Sequence, residues 1–265
     1  MQPVEMARAR YVDYWQLRED LLGGSRFREL APAEIIQVGR LVYGRAEDMA
    51  LYGVSAPRMF ASGLRVLGST AIECAVDMHC AAIAEVLHVH LGRPPVAPDM
   101  LVADLFCGSG NVGFHLGRRL GVMVQASELD SRIYAATRHN LAAIRAPVVL
   151  HRMDYREMLG RLTPRGPYDT YIVEPSWGAA LSPEGLDLDA TTPPLGTILE
   201  DIRESREGKG FLVVIKTNDR IARNSLRRAF GSARHLHACM PTPTLPTGSN
   251  VHFHLFAFQG SRAVS

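Results

Sequence analysis

Two hydrophobic rhythms divide the chain. Up to about residue 98, apolar residues recur at helical spacing over 11–22, 32–52 and 69–91, with no sustained β alternation. From residue 101 short apolar runs take over, at 101–106 (LVADLF), 122–128, 148–153, 169–174, 211–216, 234–240 and 251–258. Helical stretches at 111–120, 131–145, 155–162, 195–206 and 219–230 separate the first six. Short apolar strands alternating with amphipathic helices predict an α/β fold: a Rossmann-like, seven-stranded, mostly parallel sheet covered on both faces. Only a Pro/Thr-rich loop at 241–250 joins the last two runs, so these two strands should pair antiparallel at one edge. Ser69-Thr70-Ala71-Ile72-Glu73 has a capping-box pattern and predicts a helix start. Arg93-Pro94-Pro95 closes the helical part as a short linker. The expected organisation is an N-terminal helical cap over 1–98 and a Rossmann-like α/β domain over 99–265 that carries the site.

Composition changes this picture little but narrows the partners. The 265 residues carry a formal charge of +2, with 47% hydrophobic and 21% charged residues, which is ordinary globular composition. Residues 1–98 hold ten Arg against eleven Asp and Glu, and no run of five like charges occurs to track a phosphate backbone. Lys209 and Lys216 are the only lysines; the other basic residues are arginines. Cys74, Cys80, Cys107 and Cys239 form no CxxC pair and read as reduced thiols, which with a charged N-terminus and no long apolar run predicts a cytoplasmic protein without membrane contact.

The chemistry starts at Asp104-Leu-Phe106-Cys107-Gly108-Ser-Gly110-Asn-Val-Gly113, at the first strand–helix junction. GSGNVG is formally a G-x-G-x-x-G string, and Glu128 at the next strand end would suit a ribose, so a dinucleotide site has to be weighed. Asp104 decides between guests. A carboxylate four residues before the first glycine repels a pyrophosphate but attracts an ammonium or sulfonium group.

At this point the chain resembles the class I S-adenosylmethionine-dependent methyltransferases across residues 99–259. The resemblance rests on DLFCGSG at 104–110, Glu128-Leu129 in ASELD, Asp154-Tyr155 in HRMDY, and Glu174-Pro175-Ser176-Trp177. It implies S-adenosyl-L-methionine as cofactor. Asp104, Phe106, Cys107, Gly108, Gly110, Glu128, Leu129, Asp154, Tyr155 and Glu174 would contact it, with Glu128 on the ribose hydroxyls and Asp154 towards the adenine amine. The EPSW segment is similar to the Pro-Pro-Trp version of exocyclic-amine methyltransferases such as the trimethylguanosine synthases, which implies Glu174, Ser176 and Trp177 at the reacting centre. Glu174 departs from the usual Asn, Asp or Ser, and Ser176 from the second proline.

These residues leave three reactions open: N-methylation of a small-molecule amine, methylation of an RNA guanine or adenine amine, and intramolecular cyclisation of the cofactor with release of methylthioadenosine. Glu184, Asp187 and Asp189 in the loop 178–197, which has no Lys or Arg, predict an acidic mouth and favour the amine. Tyr11, Tyr14 and Trp15 are candidate lid residues, and the cap is a candidate homodimer surface. The pairs His88/His90, His235/His237 and His252/His254 lack a nearby Cys/Asp/Glu pattern, so no metal is expected.

Overall fold

The structure, a computed structural model, describes residues 3–92, 100–242 and 250–260. The expected linker and domain boundary at 93–98, most of the 241–250 loop and the Tyr11 side chain lie outside the described residues.

The cap contains α1 (Pro3–Leu22), α2 (Pro32–Tyr43), α3 (Gly68–Glu73) and α4 (Asp77–His90). Two details differ from the sequence pattern. The stretch 32–52 stops being helical at Tyr43, where Gly44 takes a positive φ of 87°, and Ala50–Leu51 pairs with Val54–Ser55 as a small hairpin. The stretch 69–91 is two helices, because Cys74 is extended (φ −67°, ψ 153°) and breaks the hydrogen-bond ladder. Leu67, not Ser69 or Thr70, is the N-cap of α3, and no side chain caps it. Glu73 ends α3 instead of closing a capping box, and its carboxylate lies 3.8 Å from Arg18 of α1.

The sheet consists of β1 (Val102–Asp104), β2 (Val124–Ser127), β3 (Val148–His151), β4 (Thr170–Val173), β5 (Phe211–Asn218), β6 (Arg234–Cys239) and β7 (Val251–Phe258). Its order is β6-β7-β5-β4-β1-β2-β3, with parallel pairing from β5 through β3. The last two strands pair antiparallel at one edge, as expected, with β6 and not the last strand outermost. β7 lies between β5 and β6, in register from Val251 opposite Asn218 to Phe258 opposite Phe211. The reason is in its two faces: Phe253 and Leu255 fill one, Phe256 and Phe258 the other. A strand apolar on both sides needs neighbours and cover, whereas β6, with exposed Arg234 and His235, tolerates the outer position.

Helices α5 (Asn111–Leu120), α6 (Ser131–Ala143), α7 (Tyr155–Arg161), α8 (Leu195–Ser205) and α9 (Arg223–Phe230) connect the strands. Ile198 and Ile202 of α8 and Phe230 of α9 pack with Val213, Ile215 and Phe256. Ile83 and Leu87 of α4 and Leu116 of α5 pack with Val124, Val214 and Phe253. The cap has a core of its own around Val38, Val42, Met49, Leu51 and Met59, which continues onto Phe114 of α5 and Leu141 of α6.

Polar contacts fix the cap on the glycine turn. The Tyr52 N–H donates to Asn111 Oδ1 at 2.9 Å, and Asn111 Nδ2 donates to the Ala75 carbonyl at 2.9 Å. The Tyr52 hydroxyl donates to the Ser109 carbonyl. Cap and sheet therefore meet at the segment that the sequence marks as ligand-binding. Among the described residues no helix is long and apolar enough to cross a membrane.

Candidate active site

β1 delivers Asp104 to the bottom of a turn that only glycines make easily. Gly108 and Gly110 both adopt positive φ, 49° and 73°, and Gly110 starts α5 in the left-handed region. A Cβ at Gly110 would sit 3.3 Å from Thr137 Cγ2, so its place is constrained by sterics as well. Asp104 is 2% exposed. Burial, reinforced by the nearby Glu174 and Glu128 carboxylates, pushes its carboxyl up to about 8, against the backbone N–H groups of Phe106 and Gly113 that favour the anion.

Glu128 follows the end of β2 and turns back onto the same turn. Its Oε2 accepts from the Gly108 N–H at 3.1 Å and its Oε1 from the Asp130 N–H at 2.8 Å. Burial raises this carboxyl too. Asp130, not Glu128, caps α6, accepting from the Arg132 N–H at 2.8 Å. Asp154 caps α7 through the Arg156 N–H at 2.9 Å while lining the cavity. The Tyr155 ring lies 4.9 Å from Phe106, tilted by 40°, and its hydroxyl donates to Asp201. Leu129 is 67% exposed at the rim. Cys107 is buried, its thiol pushed well above the ordinary range, so it packs as a small neutral residue.

The residues of the fourth segment converge on a side chain that the sequence motifs did not single out. Lys216 of β5 is 3% exposed and forms an ion pair with Glu174 while donating to the Glu73 carbonyl. Its ammonium lies 5.1 Å from the centre of the Trp177 ring. One face of Trp177 is thus occupied by a cation of the protein itself. Burial raises the Glu174 carboxyl and Lys216 opposes that shift. The signal for Lys216 was legible in principle: a lysine closing the otherwise apolar run 211–216, in a chain with two lysines. Ser176 is exposed, and its carbonyl accepts from the Thr192 N–H at 3.4 Å.

Asp104, Phe106, Cys107, Gly108, Glu128, Leu129, Asp154, Tyr155, Glu174, Ser176, Trp177 and Lys216 line one cavity of about 1160 Å³ between the cap and the C-terminal strand ends, whereas Gly110, expected at the cofactor, shapes the turn without lining it. Ligands of open α/β sheets bind at this end. The volume lies just above the roughly 300–1,000 Å³ usual for a small-ligand pocket. Tyr14 lines it from the cap; Trp15 packs its ring 5.5 Å from Tyr14 without lining it. The expected acidic mouth is not there. Asp187 caps a short 3-10 turn, Asp189 pairs with Arg228, Glu184 accepts from Ser182, and none of the three lines the cavity. The loop contributes Thr192 and Pro193 instead. Away from the site, His254 Nδ1 lies 3.3 Å from His235 Nε2, and among the described residues no three His, Cys, Asp or Glu side chains gather as metal ligands.

No protein-family model and no curated protein matches this chain. Several solved structures are similar to it at low identity. One is magnesium protoporphyrin IX methyltransferase from Synechocystis PCC 6803 with bound SAM, at 10% identity and TM-score 0.47, covering 69% of this chain and 79% of that one. Another is the tRNA m1G37 methyltransferase of M. jannaschii, at 12% identity and TM-score 0.46, covering 75% and 55%. A third is precorrin-6y C5,15-methyltransferase from Geobacter metallireducens GS-15, at 15% identity and TM-score 0.43, covering 67% and 87%. What this chain does has to be read from its own cavity.

Proposed function

We propose that the chain is an S-adenosylmethionine-dependent methyltransferase that N-methylates a small-molecule amine. The observation that carries this is the carboxyl of Asp104, buried beneath a glycine turn and kept neutral first by that burial and then by the two neighbouring carboxylates. Such a group gives up its proton and gains an attraction when a positive charge arrives, whereas a diphosphate would only hold it protonated and would repel its anion. Glu128, with both oxygens oriented by backbone N–H groups, suits a pair of ribose hydroxyls. Phe106, Tyr155 and Leu129 supply an apolar slot for a planar base, with Asp154 at its side. S-adenosylmethionine bound there supplies an activated methyl group on its sulfonium.

Glu174 and Trp177, pinned by Lys216, would orient the acceptor nitrogen, and positioning alone is worth as much as about 7–11 kcal/mol in favourable cases. A small acceptor is favoured over RNA because many exposed arginines already pair with carboxylates, including Arg28 with Glu34, Arg45 with Asp48 and Arg119 with Glu85. The test is to incubate the full chain with cofactor alone and with an amine library, and to identify the adenosine product by mass spectrometry. S-adenosylhomocysteine appearing only with an acceptor is expected. Methylthioadenosine formed without one would replace methyl transfer by cyclisation, and methylation of bulk RNA in preference to amines would replace the acceptor class.

A further inference from the structure

Among the described residues two arginines are buried, and they are treated differently. Arg206, with a side chain 1% exposed, is engaged through both terminal nitrogens and lacks a partner only at Nε: Nη1 donates to Asp169 Oδ2 at 2.5 Å and to the Tyr171 hydroxyl at 3.2 Å, and Nη2 to the Gly166 and Gly210 carbonyls at 2.8 and 3.1 Å. It is a fixture of the core. Arg18, on α1, has a side chain only 7% exposed and lines the cavity. Among the described residues its one carboxylate neighbour is Glu73 Oε1 at 3.8 Å, about 1 Å beyond a charge-assisted hydrogen bond. It also contacts the Tyr14 phenol oxygen. A guanidinium withdrawn from water has five N–H donors to satisfy, and here most are left to the cavity. The neighbouring cation, Lys216, is already taken up by Glu174 and the Glu73 carbonyl.

We propose that the Arg18 guanidinium is a carboxylate-binding site inside this cavity. The proposal rests on the reading above in taking the cavity as the place where cofactor and acceptor meet. The planar fork of Arg18 matches a carboxylate through two parallel N–H···O bonds. A phosphate is a poorer guest, because Glu73 within 4 Å would repel its second charge. Two carboxylates have access to such a cavity: that of the cofactor's own methionine arm, and one carried by the acceptor.

Calorimetric titration of the full chain separates them. S-adenosylhomocysteine, methylthioadenosine (the same nucleoside without the amino-acid arm) and, on the S-adenosylhomocysteine-loaded chain, 4-aminobenzoate, 3-aminobenzoate and phenylalanine against their primary amides are the probes. If the cofactor's carboxylate is the guest, Arg18→Gln weakens S-adenosylhomocysteine by about ten-fold and spares methylthioadenosine. If the acceptor's is the guest, both nucleosides are spared and an about ten-fold preference for acid over amide disappears. Arg18→Lys, which keeps the charge without the fork, falls between, and it replaces Arg18→Gln as the readout should near-UV circular dichroism show the latter unfolded. No change in either arm overturns the proposal. Should wild type bind neither nucleoside, the cofactor reading fails separately, and the acid-versus-amide comparison on the bare chain then decides Arg18.

Discussion

Asp104 ties the sequence argument to a measurable titration. Its carboxyl is neutral below about 8, and a cationic guest stabilises the anion, so binding releases a proton. Affinity for S-adenosylmethionine should therefore rise with pH, by up to tenfold per unit, and level off above about 8. Asp104→Asn should weaken binding by roughly 10- to 150-fold at high pH and flatten the profile. A wild-type profile flat from pH 6 to 9 would contradict this. Lys216 makes a second residue-level prediction. Lys216→Met strands Glu174 without its cation and should cost about 3 kcal/mol in urea unfolding, part of it recovered in the double variant with Glu174→Gln. A loss below about 0.5 kcal/mol would mean that the pair does not hold the site together. Asp104, Glu128 and Glu174 could be named from motif spacing because each closes or immediately follows a strand. Lys216 could not, since its partners lie at 73, 174 and 177 and meet only once the sheet is assembled.

At the scale of elements, the apolar runs located all seven strands, and 111–120 and 251–258 match their elements end to end. What the pattern missed is informative. The break between α3 and α4 needs no glycine or proline; extended Cys74 makes it, and it brings the Glu73 carbonyl to Lys216. The place of β7 in the sheet depends on which strand can bear solvent, a comparison between strands that no single run contains. Asn111, the first residue of α5, is the element-level joint between cap and cofactor turn. Asn111→Ala removes the buried hydrogen bonds to the Tyr52 N–H, the Ala75 carbonyl and Cys80 Sγ and leaves the Tyr52 N–H without its partner, for a loss of about 2–4 kcal/mol. Hydrogen exchange should show the gain in opening concentrated in residues 50–80; uniform exchange across the chain would argue against a local joint.

For the whole molecule, the consequence is that the site belongs to neither part alone. The sheet supplies Asp104, Glu128 and Glu174, the cap supplies Tyr14, Arg18 and Glu73, and the cavity is the space between them. A guest filling it should stabilise cap and sheet as one unit. S-adenosylhomocysteine at a hundredfold excess over its Kd adds about 2.7 kcal/mol, so a single thermal transition should move up by several degrees. The most direct test of the central claim remains a competition at the glycine turn. In calorimetric titration of the full chain at pH 8, S-adenosylhomocysteine should bind with micromolar affinity while NAD gives no saturable heat. Saturable binding of NAD, with S-adenosylhomocysteine silent, would contradict the account at its root.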